Sequence, residues 1–175
     1  MRPLDNPARI QIPQAAIPPS STKATSLELN LDARKTVITD PFDPANLATY
    51  NNSTSMTVYD QLGNSHVFSV YFRKTDAATN TWEVQATLDG TVVDMKDDKG
   101  TAVANSLKFN ADGTLDTATS NGLFQIDLTK YVSSPNGGEF STEVPPLAAN
   151  TFNFDMSKIT QFGSAFSVQN LSQDG

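Results

Sequence analysis

The chain has 175 residues, enough for one domain with its own core; 38% are hydrophobic and 18% charged, both below the globular averages of roughly 45–50% and 25%, and Thr, Ser, Asn and Gln fill the difference. A net charge of −7 with no Lys/Arg cluster to offset it repels a phosphate backbone and excludes nucleic-acid binding. The absence of cysteine excludes a disulfide framework, a thiol nucleophile and a thiolate metal site.

The first twenty residues hold five of the ten prolines, Pro3, Pro7, Pro13, Pro18 and Pro19. Proline fixes φ and removes a backbone donor, so this stretch is predicted to be an extended linker or edge piece, with Ile10 and Ile12 able to make one short strand. Arg2 leads into it without the apolar run of a secretory signal, so either an export signal has been removed or export takes another route. No later apolar run approaches the ~20 residues that cross a bilayer, and no membrane insertion is expected.

From Ala24 the dominant signal is alternation. Leu27, Leu29 and Leu31 sit at period two, with Ser26, Glu28, Asn30 and Asp32 between them, as in a half-buried strand. TDPFDPANLATYNN then breaks the pattern with two prolines and predicts a loop with room for a helical turn. In STSMTVYDQLGNSHVFSVYFRK a loop Leu62-Gly63-Asn64 would set Val58 opposite Phe68 and Met56 opposite Val70, with Phe72 continuing that face. Thr57, Tyr59 and Ser69 would occupy the other. A two-residue Gly63-Asn64 turn would mix the faces, so the longer loop is preferred.

In TWEVQATLDGTVVDMKDD the two-residue Asp89-Gly90 turn supplies the positive φ angles of a type I′ hairpin. It places Leu88 opposite Thr91, Ala86 opposite Val93 and Val84 opposite Met95. On the other face it pairs Glu83 with Lys96 and Gln85 with Asp94. SLKFNADGTLDT predicts a hairpin with the loop Ala111-Asp112-Gly113, Gly113 left-handed and Phe109 opposite Leu115. Further strands are predicted at Leu123 to Leu128, Thr151 to Met156 and Phe162 to Val168, with SSPNGGEFSTEVPP a long flexible loop. No window keeps a helical period. The fold class is all-β: an antiparallel barrel or sandwich with hairpin connections and long loops.

Chemistry finds little purchase. His66 is the only histidine, no ligand-type spacing surrounds it, and the hairpin register sets it against Asp60 as a polar pair. Asn110, Asp112 and Gly113 resemble part of a calcium loop, but Lys108 and Thr119 stand where its first and last ligands belong. Asp94, Asp97 and Asp98 fall near a hairpin end and read as solvated, not as an acid–base pair in a cleft. There is no nucleophile elbow or glycine-rich phosphate loop. Trp82, in line with Val84, reads as core edge. No catalytic, cofactor-binding or metal-ligating residue is assigned, and no enzyme activity or cofactor is expected.

Particular stretches resemble one family. TSLELNLDARK, PFDPANLATYNNSTSMTVYDQLGNSHVFSVYFRKT, NTWEVQATLDG, SLKFNADGTLD and ITQFGSAFSVQNLSQDG follow, in order, the flagellar hook protein family from about Ala24 to Gly175. The most specific is TVYDQLGNSHVFSVYF. The resemblance implies a subunit of the hook, the curved flexible tube between rotary motor and filament. In that family helical termini line the channel, an intermediate domain follows, and a barrel-like outer domain is exposed on the tube.

Residues 1–23 are accordingly expected to be the extended segment arriving from the intermediate domain, and residues 24–175 the outer β-domain. The helical termini, which the resemblance implies carry export and polymerisation in that family, are expected to lie outside this chain. By the same resemblance the partners are other hook subunits, the hook cap and the hook–filament junction proteins. The location is the extracellular hook of the flagellar basal body, reached by the flagellar type III route. A secreted carbohydrate-binding or adhesin-like module is the rival, which exposed, clustered aromatics would favour.

Overall fold

The computed structural model describes residues 20–60, 62–97, 101, 105–120, 122–128 and 151–174, and these contain ten strands and no α-helix. The proline-rich stretch with Ile10 and Ile12, and the SSPNGGEFSTEVPP segment, lie outside the described residues. The leucine alternation becomes β1 (Ala24–Asp32), with Leu27, Leu29 and Leu31 all buried. The proline-broken loop that follows carries a single 3-10 turn, Leu47–Thr49, in which the Ala48 N–H donates to the Asn46 side chain at 3.0 Å.

The hairpins supply β2 (Asn52–Tyr59), β3 (Ser65–Asp76), β4 (Thr81–Leu88), β5 (Thr91–Asp97) and the short β6 (Ser106–Lys108). The remainder are β7 (Leu123–Asp127), β8 (Thr151–Asp155), β9 (Thr160–Phe162) and β10 (Ser167–Gln173). One sheet joins them in the order β10-β1-β8-β7-β5-β4-β3-β2, with β6 beside β4 and β9 beside β1. The sheet curls until its inner faces meet: Phe68 of β3 packs edge-on against Phe152 and Phe154 of β8, centroids 5.1 and 5.3 Å apart. Trp82, Phe68, Phe72, Phe152 and Phe154 are fully buried there. Each such side chain stabilises the fold by roughly 1.5–3 kcal/mol relative to exposure.

Most pairings are antiparallel, but β1 runs parallel to both β8 and β9. Hairpin logic does not reach these contacts, which join segments more than a hundred residues apart.

The Asp89-Gly90 turn forms with both residues at positive φ (48° and 80°), and Leu88 pairs with Thr91 and Ala86 with Val93 as predicted. Beyond Val93 the prediction fails. There β5 leaves β4 for β7, pairing Asp94 with Asp127, while β6 takes the vacated edge of β4 at Thr81, Trp82 and Glu83. Val84 therefore does not face Met95, nor Gln85 Asp94. Glu83 instead bonds Arg73, and Lys96 reaches Asp127 at 2.6 Å. The curl requires a strand shared between two halves of the sheet, and β5 is that strand. Val93 and Met95 stay buried, so the face assignment survives the change of partner.

The β2–β3 register also differs. Met56 faces Phe68 and Val58 faces His66, two residues away from the expected pairing, so the loop is the five residues 60–64. The shift is even, hence Met56, Val58, Phe68, Val70 and Phe72 keep the buried face. The cause is Asp60, whose carboxylate accepts the N–H groups of Leu62 (2.9 Å) and Asn64 (2.8 Å) and the Asn64 amide (2.7 Å), closing a wider turn.

The 111–113 loop is as predicted, with Gly113 at φ 85° and a bridge between Phe109 and Leu115. The expected strand from Phe162 to Val168 is broken: β9 ends at Phe162, the chain bends, and β10 starts at Ser167. Asn30 of β1 holds the bend, donating to Ser164 Oγ (2.9 Å) and accepting the Phe162 N–H (2.9 Å).

Candidate contact surface

The polar residues singled out in the sequence are spent on turns. His66 is buried between two hairpin tips, its Nδ1 2.7 Å from Asp89 and its Nε2 3.4 Å from Asp60. Asp89 also accepts the Val67 N–H at 2.8 Å. The expected partnership with Asp60 is present, and Asp89 joins it, so one ring ties the 60–64 loop to the Asp89-Gly90 turn. Burial works against the Asp60 charge, but hydrogen bonds from Asn64, His66 and Leu62 outweigh it and hold the carboxyl below its ordinary 3.8.

Asp112 accepts both the hydroxyl (2.6 Å) and the N–H (3.0 Å) of Thr114, bonds that lower its pKa and fix its own loop. Asp97 accepts the Thr101 N–H at 2.7 Å, and Asp98 lies outside the described residues. Trp82 is wholly inside, with its indole N–H donating to Gln161. Lys74, unremarked in the sequence, is buried too; its ammonium donates to the Ala33 carbonyl at 2.5 Å and lies 5.9 Å from the centre of the Trp82 ring. Among the described residues no three His, Asp or Glu side chains are placed to hold one metal ion.

What the fold presents outward is a broad polar surface. On β2, Ser53, Ser55 and Thr57 are exposed, and β3 and β5 add Val67 and Val92 at about half exposure. From Ser167 to Ser172 every residue of β10 is exposed, and SVQNLSQ carries no charge. Hydroxyl and amide groups of this kind exchange protein partners for water at small net cost.

Three aromatics stand apart from the buried strand faces. Phe42, Tyr50 and Tyr71 cluster outside the core, Tyr71 lying 5.1 Å from Phe42 and 4.9 Å from Tyr50. Their planes are tilted by 56–72° and all three rings are half-buried against one another. They pin the loop that presents Leu47 (79% exposed) and form no coplanar platform of the sort a sugar ring stacks on.

Residues 30–175 match the family model described as the flagellar basal body protein FlaE D2 domain. The flagellar hook protein FlgE of Escherichia coli K12 is 37% identical over 121 residues, covering 67% of this chain and 28% of that protein. FlgE of Salmonella typhimurium is 36% identical over 64% of this chain and 27% of its own length. FlgE of Borreliella burgdorferi is 28% identical over 89% and 34%. The chain thus spans about a third or less of the relatives it matches. Among solved structures, a 32 kDa fragment of the hook protein FlgE from Caulobacter crescentus aligns with a TM-score of 0.44 at 15% identity, over 71% of this chain and 46% of that one.

Proposed function

The chain belongs to the flagellar basal body protein FlaE D2 domain family, and from that membership we propose that it is the outer β-domain of a flagellar hook subunit. The single observation that carries the reading is the family match over residues 30–175. The parent's work is mechanical: as a curved, flexible tube it passes motor torque to the filament, with no catalysis. Residues 1–23 arrive from the neighbouring domain, and residues 24–175 stand on the outside of the tube. The parent's partners are other hook subunits, together with the cap and junction proteins at the hook's ends. It works outside the cell after export by the flagellar type III route.

The physical role follows from the surface. Subunits on the inner and outer sides of a bend sit at different spacings, and the outermost domains feel the largest difference. The Ser/Thr rows of β2 and the uncharged β10 make contacts that water replaces readily, so neighbours slide without a large barrier. Deleting residues 24–172 from the parent, with the ends rejoined, tests this. Tubes should still assemble but lose their curvature under electron microscopy. Hooks of normal curvature, or no hooks at all, would contradict it.

A further inference from the structure

The sheet does not close on itself. Its order ends at β10 on one side and β2 on the other, and no ladder joins the two. Both nevertheless flank one open groove of about 450 Å³, lined among others by Ser55, Met56, Thr57, Leu171 and Ser172. At one end of this seam stands Thr22. Its N–H donates to the Tyr59 carbonyl (2.9 Å), its hydroxyl accepts the Tyr59 N–H (2.9 Å), and the same hydroxyl donates to Gln173 Oε1 (2.9 Å). One threonine therefore bonds the ends of both edge strands.

Two further observations concern the seam. NSTSMTVY and SVQNLSQ contain no charge and no proline, although charges and prolines are the usual guards of a sheet edge. Proximity across the groove supplies the protection that composition does not. The apolar layer is also thin on the β10 side, although Met56 and Val58 of β2 are buried. Leu171 and Val168 pair with Leu27 and Leu29, which are 1% exposed, yet are themselves 37% and 41% exposed. Parting the two edges breaks the Thr22 bonds and no ladder between β2 and β10, and it leaves each edge strand held by a single ladder, β2 to β3 and β10 to β1, from which its amides can open.

We propose that the domain opens and closes along the β2–β10 seam, with Thr22 as the latch. The inference concerns this domain alone and holds whether or not the parent builds a hook.

Native-state hydrogen exchange on the 175-residue chain tests it, and the absence of cysteine allows a clean cross-link. The amides that β2 donates to β3, and β10 to β1, should exchange at least about tenfold faster than those between β3 and β4. Thr57→Cys with Ser172→Cys, joined by a short bis-maleimide across the groove, should slow β2 and β10 by about tenfold relative to the same variant before cross-linking. Amides of β7 and β8 should not change. Thr22→Val, which keeps the shape and loses the hydroxyl, should speed β2 and β10 severalfold without a matching change in β7 and β8. Edge amides as slow as those of β3 in the unmodified chain would overturn the proposal. So would a completed cross-link that leaves their rates unaltered, or a Thr22→Val variant whose seam exchanges like the parent's.

Discussion

The ring of Phe68 on β3 meets the ring of Phe152 on β8 edge-on, at a tilt of 82° and a centroid distance of 5.1 Å. Four steps of the sheet order separate their strands, so this contact exists only because the sheet is curled. Replacing Phe68 by Ala should cost about 3–5 kcal/mol, as for other buried aromatics. Urea unfolding checks it; a midpoint unchanged from the parent chain would mean that β3 and β8 do not share a core.

Gly90 and Gly113 both hold left-handed backbone, at φ 80° and 85°, but their surroundings differ. A Cβ on Gly90 meets nothing within 4 Å, whereas on Gly113 it falls 2.5 Å from the Gln161 carbonyl oxygen and 2.6 Å from the Phe162 ring. Gly90→Val therefore bears backbone strain alone, roughly 1–3 kcal/mol. Gly113→Ala adds a clash with backbone and should cost more despite the smaller side chain. Denaturation midpoints in the reverse order would contradict this.

Asp60 carries a pH dependence whose sign follows from its bonds. Its folded pKa lies below 3.8, so the stability it adds is present above about pH 4 and is lost as pH falls. Asp32, held near 2 chiefly by the Arg34 side-chain hydrogen bond, acts in the same window between about 4 and 2. Asp60→Asn should be less stable at pH 7 and lose less on acidification than the parent. Equal losses in urea titrations at pH 5 and pH 3 would show that the Asp60 network contributes nothing.

Asn30 is 2% exposed and makes bonds in both directions to the 160–165 bend. Asn30→Ala leaves the part-buried Phe162 N–H without this acceptor and should cost roughly 0.5–1.5 kcal/mol, the net worth of such a hydrogen bond where water can replace the partner. Exchange at Phe162 should quicken with it. Stability and exchange equal to the parent's would place the bend's support elsewhere.

Local pattern made the strands legible. Leu27, Leu29 and Leu31 announce β1, and Asp89-Gly90 and Ala111-Asp112-Gly113 fix their turns with the residues that positive φ demands. The pairing of β5 was readable only as far as Val93, because the departure to β7 depends on closing a curved sheet and not on anything near residues 94–97. The β2–β3 register was within reach: Asp60 and Asn64 at the two ends of the loop are an Asx-type signature. The Asp89–His66 bond, the Thr22 latch and the Phe42–Tyr50–Tyr71 cluster join segments about 20 to 150 residues apart, which no short-range pattern encodes.

The placement of this domain on the hook is tested most directly by immunogold electron microscopy of flagella, using antibody raised against the 175-residue chain. The account predicts gold along the whole length of the short curved segment at the filament base and none on the filament. Gold confined to the filament, to the basal rings or to the cell surface would contradict it.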